Sequence, residues 1–150
     1  MILNTNLLKY FLFLYLINTI YNRSCNPWEF QFFNSCLKCK SGTYCPNGIK
    51  FYYCPSGTYT SSSGVTSCSN CPPGTYASSS GETFCSKCRP GTYASSKGSS
   101  SCNMCEAGTY TSDSGSTYCK KCAIGYYSYS GATFCFPMRS NYYNYHTHRY

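Results

Sequence analysis

Residues 71–105 read CPPGTYASSSGETFCSKCRPGTYASSKGSSSCNMC, and this stretch contains the same phrase twice. Each copy has a cysteine, two residues, Gly-Thr-Tyr, a serine-rich run, a second glycine and a closing Cys-x-x-Cys. A fixed period of this kind is typical of repeat architectures, in which small units stack on one another. Five such units, each 17 residues after the last, open at Cys54, Cys71, Cys88, Cys105 and Cys122.

Two glycines and one tyrosine recur in the same order in all five units. A first glycine stands at position 4, counted from the opening cysteine: Gly57, Gly74, Gly91, Gly108 and Gly125. A tyrosine stands at position 6: Tyr59, Tyr76, Tyr93, Tyr110 and Tyr127. A second glycine then follows: Gly64, Gly81, Gly98, Gly115 and Gly131. The fifth unit is one residue shorter than the others, between Tyr127 and Gly131.

Two less regular units precede these five. The first, Cys25 to Cys36, holds an aromatic cluster of Trp28, Phe30, Phe32 and Phe33. The second opens at Cys39 with the phrase of the repeat but meets a cysteine early, at Cys45. We therefore predict irregular cysteine-rich units at 25–53, five 17-residue repeats at 54–137 and a flexible tail at 138–150.

The composition indicates that disulfides, rather than an apolar core, hold this chain together. Of its 150 residues 14 are cysteine, and from Cys25 onward the only Leu, Ile or Val residues are Leu37, Ile49, Val65 and Ile124. Small units that bury little apolar surface need covalent staples. The predicted fold is a small disulfide-rich, elongated tandem array of short β-hairpin-like loops with little regular secondary structure, after an N-terminal signal helix.

Each residue type in the repeat has an expected structural role. The first glycine permits a tight turn after the cysteine, and Thr-Tyr then runs extended. The serine-rich stretch and the second glycine reverse the chain. The residues before the closing cysteine are expected to form the return arm: Thr83-Phe84, Thr117-Tyr118 and Thr133-Phe134. Each unit would then have a minute core made of one tyrosine ring and one bridge.

The N-terminus predicts export. Lys9 precedes an apolar run from Tyr10 to Ile17, and polar residues follow. We interpret residues 1–24 as a signal peptide cleaved between Thr19 and Ser24, with an uncleaved membrane anchor as the alternative. The apolar run is shorter than the roughly 20 residues of a membrane span. An exported chain meets an oxidising compartment, and the predicted location is therefore secreted or cell-surface.

Sequence alone leaves the cysteine connectivity open. The simplest scheme pairs consecutive cysteines and leaves no thiol over: Cys25–Cys36, Cys39–Cys45, Cys54–Cys68, Cys71–Cys85, Cys88–Cys102, Cys105–Cys119 and Cys122–Cys135. A zinc ribbon is the competing interpretation, because the spacing from Cys68 to Cys88 nearly fits four-cysteine coordination. Such tetrads would strand Cys54 and Cys135, and 14 cysteines do not divide into fours. A redox Cys-x-x-Cys centre lacks the βαβ context that it needs.

The phrase CPPGTYASSSGETFCSKC resembles the GCC2/GCC3 and ephrin-receptor-like cysteine-rich repeats, which belong to the wider growth-factor-receptor and TNF-receptor-like cysteine-rich group. The likeness covers Cys36 to Cys135. It implies disulfide-closed loops in an ectodomain or secreted protein, with the same pairing of first to second cysteine. The sequence departs from the pattern at Cys45, which is early, and at Phe51, where a closing cysteine would fall.

No catalytic, cofactor or metal site is predicted. The four acids are widely spaced, and the two histidines, His146 and His148, lie in the tail. The net charge of +8 comes from scattered bases, which indicates a solvated surface rather than a nucleic-acid site. Asn22-Arg23-Ser24 is a weak glycosylation sequon, and the serine runs 61–63 and 78–80 are interpreted as solvated turns.

The sequence therefore predicts a non-catalytic, extracellular structural, adhesion or binding module whose partner is an extracellular protein or a glycan. The alternatives are a small secreted ligand or effector for a receptor, and an ectodomain fragment of a larger membrane receptor. We expect contact with a membrane only through an uncleaved signal peptide or a missing C-terminal part.

Overall fold

The computed structural model describes residues 9–14, 16 and 24–138. Residues 9–14 and 16 are helical, and within the described residues no helix is long and apolar enough to span a bilayer. Most of the predicted signal peptide, with Asn22, lies outside the described residues, as do His146 and His148. The signal peptide therefore stays a prediction.

Residues 24–138 fold into a chain of short antiparallel hairpins, in which each odd-numbered strand pairs with the strand that follows it. The strands are β1 (Glu29–Phe32), β2 (Ser35–Lys38), β3 (Thr43–Tyr44), β4 (Tyr52–Tyr53), β5 (Thr58–Tyr59), β6 (Ser69–Asn70), β7 (Thr75–Tyr76), β8 (Ser86–Lys87), β9 (Thr92–Tyr93), β10 (Asn103–Met104), β11 (Thr109–Tyr110), β12 (Lys120–Lys121), β13 (Tyr126–Tyr127) and β14 (Phe136–Pro137). This architecture confirms the predicted disulfide-rich tandem array of hairpins.

Each hairpin belongs to one unit, and units 1 to 7 are numbered here by their opening cysteines: Cys25, Cys39, Cys54, Cys71, Cys88, Cys105 and Cys122. The two irregular units share the geometry of the other five. The amide of Cys39 donates to the carbonyl of Trp28 at 3.4 Å, as that of Cys71 donates to Gly57 at 2.9 Å. In units 1 to 6, the hairpin thus ends where the amide of the next opening cysteine donates to the carbonyl at position 4.

The return strand is not the one that we expected. In unit 4, Thr75–Tyr76 pairs with Ser86–Lys87, the two residues inside Cys-x-x-Cys. The prediction that Thr83-Phe84, Thr117-Tyr118 and Thr133-Phe134 form the return arm is therefore wrong. The reason is that the segment before the closing cysteine is already engaged with the preceding unit, since the carbonyl of Glu82 accepts a hydrogen bond from Thr60 at 3.3 Å.

Seven disulfides close the units, and each joins one cysteine to the next along the chain, which is the pairing of the simplest scheme. Their Cα–Cα distances run from 5.6 to 6.1 Å, within the usual range for a bridge. No cysteine in the described part of the chain is free. The thiolate ligands that a zinc ribbon requires are therefore already used in covalent bonds.

Three backbone hydrogen bonds join each unit to its successor. Between units 4 and 5, the first glycine, Gly74, donates to the carbonyl of Ala94 at 2.8 Å. The position-7 amide of Ala77 donates to the carbonyl of Ser99, which follows the second glycine, at 3.2 Å. The second glycine of unit 5, Gly98, donates to the carbonyl of Cys71 at 2.8 Å. The same three bonds recur at every junction from units 2 and 3 to units 6 and 7.

The core is a line of sulfur and small side chains. The opening cysteines of units 2 to 6 are fully buried. The residues at position 7 are buried beside them: Cys45, Thr60, Ala77, Ala94, Thr111 and Ser128. The tyrosines at position 6 of units 3 to 6 are only half-buried, so the expected core of one ring and one bridge is replaced by one bridge and one small side chain.

Contacts also reach two units along the array. A Cβ atom on Gly74 would collide with the carbonyl oxygen of Gly115, and the same first-glycine to second-glycine approach recurs at Gly42 with Gly81, Gly57 with Gly98 and Gly91 with Gly131. The last residue of each unit adds to this contact, since the Lys87 side chain lies 3.5 Å from the Cβ position of Gly115. In units 2 to 5, glycine at position 4 is therefore needed both for its backbone angle and for the space that it leaves.

Substitutions at two glycines distinguish the requirement for the backbone angle from the requirement for space. Gly74 and Gly125 have φ of 82° and 85°, but no described atom lies within 4 Å of a Cβ on Gly125. Alanine at either site destabilises the fold by about 1 kcal/mol because of the left-handed backbone. Gly74→Ala must also displace the backbone of unit 6, which costs about 1–3 kcal/mol more. We expect thermal unfolding to show a clearly larger loss of Tm for Gly74→Ala than for Gly125→Ala. Equal losses would show that the contact across two units is absent.

Candidate interaction surface

Two exposed features of the described residues are candidates for an interaction surface. No group of three or more His, Cys, Asp or Glu side chains within them is arranged to hold a metal ion. The carboxylates of Glu29 and Glu82 lie in units 1 and 4, and those of Glu106 and Asp113 both lie in unit 6. The features that remain are an aromatic cluster at the N-terminal end and a series of exposed serine loops.

Five rings form a continuous line across units 1 and 2, and we call this line the aromatic ridge: Phe33, Phe32, Phe30, Phe51 and Tyr53. Successive ring centroids along it are 4.7, 6.4, 5.0 and 5.7 Å apart, all at edge-to-face angles. Distances and angles of this kind are favourable for aromatic pairs. The ridge is therefore an ordered structure, although much of it faces water.

The alternation of β1 explains the first part of the ridge. Side chains two residues apart in a strand lie on the same face, which places Phe30 and Phe32 together. Leu37 lies opposite Phe30 in the pairing of β1 with β2 and adds apolar surface at the hairpin. Phe32 is 52% exposed and Tyr53 62% exposed, and Leu37 is also exposed. This is a contiguous apolar face without a covering element among the described residues.

Phe33 occupies the most unusual position of the ridge. It is the first residue of the two-residue loop between β1 and β2, and its φ is +50°. Positive φ at the first loop position is the pattern of a type II′ turn, where glycine is preferred. The side chain is 83% exposed, so burial of the ring in this chain offsets little of the backbone strain.

Phe51 joins the hairpin of unit 1 to unit 2. It stands at the closing position of unit 2, directly before β4, where the other units have a cysteine. The disulfide partner of Cys39 is instead Cys45 at position 7. Because Cys39 pairs with Cys45, position 51 does not need a cysteine. An aromatic ring of the ridge occupies it instead.

A shallow groove of about 340 Å³ runs beside the ridge. It is lined by Phe30, Lys40, Ser41, Thr43, Phe51 and Tyr53. Its wall combines three aromatic rings, a residue type that is enriched at protein interfaces, with two hydroxyl groups and one cation.

The serine loops form a second periodic surface. Residues 61–63, 78–80, 95–97 and 112–114 are exposed, and they lie between the buried position 7 and the second glycine of each unit. Local hydrogen bonds hold these loops, since the Ser99 hydroxyl donates to the carbonyl of Ser96 at 2.9 Å and the Ser116 hydroxyl donates to the carbonyl of Asp113 at 2.8 Å. This local bonding agrees with the interpretation of the loops as solvated turns.

The fold and this surface together define a disulfide-stapled repeat module with an aromatic N-terminal end. Residues 52–83 and 74–122 match the family model described as tyrosine-protein kinase ephrin type A/B receptor-like. Residues 52–122 are therefore similar to ephrin-receptor-like cysteine-rich repeats, and this confirms the resemblance that the sequence indicated. A comparison with curated proteins found no match.

The origin of the stability can be measured directly. We expect a chelator to leave the circular dichroism spectrum and the Tm unchanged, and a reductant to unfold the chain, because each regular bridge closes a loop worth about 3 kcal/mol. Intact mass under non-reducing conditions should be about 14 units below that of the reduced chain, since each bridge removes two hydrogens. Unfolding by the chelator alone would contradict the assignment.

Proposed function

We propose that the chain is a non-catalytic extracellular or cell-surface binding module, and that the aromatic ridge is its partner-binding surface. Seven disulfides and receptor-like repeats support an oxidising, extracellular setting. The observation that carries the binding assignment is Phe33, an exposed ring in a strained turn.

The energetics of Phe33 argue against a role in folding. A β-hairpin gains stability from glycine at this loop position, and a phenyl ring there costs about 1 kcal/mol of backbone strain. Exposed apolar residues in one contiguous patch are a typical mark of an interaction site. Phe33 breaks a local folding rule and gains only the ring contact with Phe32 in return, and such a residue is better explained by function than by stability.

The ridge fits a protein partner with an apolar pocket. Rigid aromatic side chains lose little conformational entropy on binding and dominate the energetics of protein interfaces. Lys40 lines the neighbouring groove, and the Lys50 ammonium lies 5.3 Å from the Tyr52 ring centroid. We therefore propose an extracellular protein whose pocket accepts Phe33 and whose rim carries carboxylates.

The decisive variant is Phe33→Gly. It removes the exposed ring and supplies the residue that the turn prefers, so we expect an unchanged or higher Tm together with a loss of binding of about 30-fold, as for a hot-spot residue of 2 kcal/mol. Binding is measured by flow cytometry, with the secreted chain fused to a dimerising tag and titrated on cells that bind the unsubstituted chain.

Phe84→Ser is the matched control, because Phe84 is also largely exposed, at 63%, but lies outside the ridge. It should leave binding unchanged. Treatment of the cells with protease should abolish binding, whereas loss after glycosidase treatment alone would identify a glycan as the partner. Full binding by Phe33→Gly would exclude the ridge as the binding surface.

A further inference from the structure

A groove of about 280 Å³ lies at the junction of units 5 and 6. It is lined by Tyr93 of unit 5 and by Glu106, Thr109, Tyr118 and Cys119 of unit 6, and it shares no residue with the aromatic ridge. Pockets for drug-sized ligands have volumes of about 300–1,000 Å³. This groove therefore has room for a group the size of one small ring.

Two tyrosine rings line the groove without touching each other. Within residues 24–138, Tyr93 and Tyr118 do not form a ring pair, so space remains between them. Tyr93 is half-buried in β9, where it pairs with Asn103 of β10. Tyr118 is 63% exposed. Both rings offer an apolar surface to a ligand in the groove.

The backbone of the groove is fixed before any ligand binds. The amide and the hydroxyl of Thr109 both donate to the carbonyl of Glu106, at 3.0 and 2.8 Å. Gly108 supplies the positive φ, 82°, that this tight turn requires at its third residue. Cys119 is held by its bridge to Cys105. A ligand therefore orders little of the protein when it binds.

The polar groups of the groove are free to bind a ligand. Within residues 24–138, neither the carboxylate of Glu106 nor the phenol groups of Tyr93 and Tyr118 have a hydrogen bond to the protein. An ionised carboxylate only accepts hydrogen bonds, and the Thr109 hydroxyl keeps its lone pairs after donating its proton. The groove is thus rich in acceptors and suits a ligand with several donors.

The two side chains that give the groove its chemistry are particular to unit 6. At position 2, an acid occurs only in unit 6, as Glu106, and the other six units have Asn26, Lys40, Pro55, Pro72, Arg89 and Ala123. In units 3 to 7, the residue before the closing cysteine is a tyrosine only in unit 6, and the series is Ser67, Phe84, Ser101, Tyr118 and Phe134. Repeat proteins bind ligands through exposed side chains on a regular stack of units, and this junction is the one where ring and carboxylate occur together.

Charge and hydrogen bonding select the class of ligand. Units 5 and 6 have four bases and two acids, and Lys121 lies opposite Thr109 in the pairing of β11 with β12, so the local field does not favour a cation. An anion would meet the carboxylate of Glu106. A purely apolar group would leave that carboxylate without a hydrogen bond. A neutral ligand with an apolar face and several hydroxyl groups satisfies all of these conditions.

We propose that this groove binds one neutral sugar ring of a glycan. The C–H face of a pyranose packs on a tyrosine ring, and neighbouring hydroxyl groups of the sugar donate to the carboxylate of Glu106. The inference is independent of the protein partner proposed for the aromatic ridge, because the two sites share no residue.

Nuclear magnetic resonance titration of the full chain with methyl glycosides of glucose, galactose, mannose and N-acetylglucosamine tests the proposal. A ligand of roughly a dozen non-hydrogen atoms binds such a groove with a Kd on the order of 1 mM. We expect at least one glycoside to shift the ring signals of Tyr93 and Tyr118 with that affinity. The Kd should not change between about 0.05 and 0.5 M salt. If none of these glycosides shifts either ring, the proposal is overturned.

Two substitutions borrow residues that the array already contains. We compare Glu106→Ala with Tyr118→Ser. Unit 7 has Ala123 and unit 5 has Ser101 at these positions, so the fold accepts both side chains. Each variant should bind the glycoside at least about tenfold more weakly, because a hydrogen bond to a charged group or a stacking surface is lost.

Asp113→Ala is the matched control for charge. Asp113 is the other acid of unit 6, is exposed and lies outside the groove. Its removal changes the net charge as Glu106→Ala does and should leave the Kd unchanged. Equal binding by Glu106→Ala and the unsubstituted chain, or equal weakening by Asp113→Ala, would contradict the assignment of the groove.

Tetramethylammonium chloride tests the competing occupant, since aromatic rings beside a carboxylate also attract cations. The inference expects no shift of either tyrosine ring at concentrations that saturate the glycoside site. A shift by the cation that weakens with salt, without binding of any glycoside, would assign the groove to a cationic group and overturn the proposal. Phe33→Gly should bind the glycoside as the unsubstituted chain does, which keeps this test separate from that of the ridge.

Discussion

The buried opening cysteine is the residue on which every other part of this array depends, because it belongs to three units at once. The sulfur of Cys71 closes its own unit through Cys85. Its amide donates to Gly57 in the unit before, and its carbonyl accepts from Gly98 in the unit after. A chain with so few aliphatic residues has no apolar core to position these groups, so the covalent bond fixes the backbone from which the hydrogen bonds follow.

The sequence predicts the period, the hairpins and the use of the cysteines because each depends on residue types that recur in register. The identity of the return strand was not predictable in the same way. Thr83-Phe84 consists of residue types that favour strands, whereas the return strands that do form, such as Ser69–Asn70 and Ser86–Lys87, contain none of these types. The pairing of these two-residue strands depends on the backbone hydrogen bond that follows them, such as the bond from the Cys71 amide to the Gly57 carbonyl, rather than on side-chain preference.

The small side chains at position 7 are a pattern that the sequence contains but does not explain. Cys45, Thr60, Ala77 and Ser128 share only small size, which is visible in the sequence once the units are aligned. The position-7 residues are buried, and in units 2 to 6 their amides bond to the next unit, so the need for a small side chain depends on how units stack. The first glycine also has two roles. The local sequence predicts its role in the turn, but it does not predict the approach of a carbonyl group from two units away.

Unit 1 differs from the other units in its loop and at position 4, because it does not stack on a preceding unit among the described residues. The position-7 carbonyl, the second glycine and the residue after it bond to the preceding unit, and unit 1 has no predecessor among the described residues. Its two strands are accordingly joined by the short loop of Phe33 and Asn34. Trp28 stands at position 4 in place of glycine, and its φ is not positive. Freedom from the stacking constraint is what permits bulky aromatic side chains at this end.

The contact across two units links the array to the proposed binding surface. Tyr53, the last ring of the aromatic ridge, lies with its Cδ1 atom 3.0 Å from the Cβ position of Gly81 in unit 4. Phe51 and Phe30 join that ring to the hairpin of unit 1. The ridge is thus held at one end by a glycine that belongs to a different unit, so its rings are positioned before any partner arrives. A partner that binds a preorganised surface pays less entropy for ordering it, and this is how an array without an apolar core can present an apolar surface of defined shape.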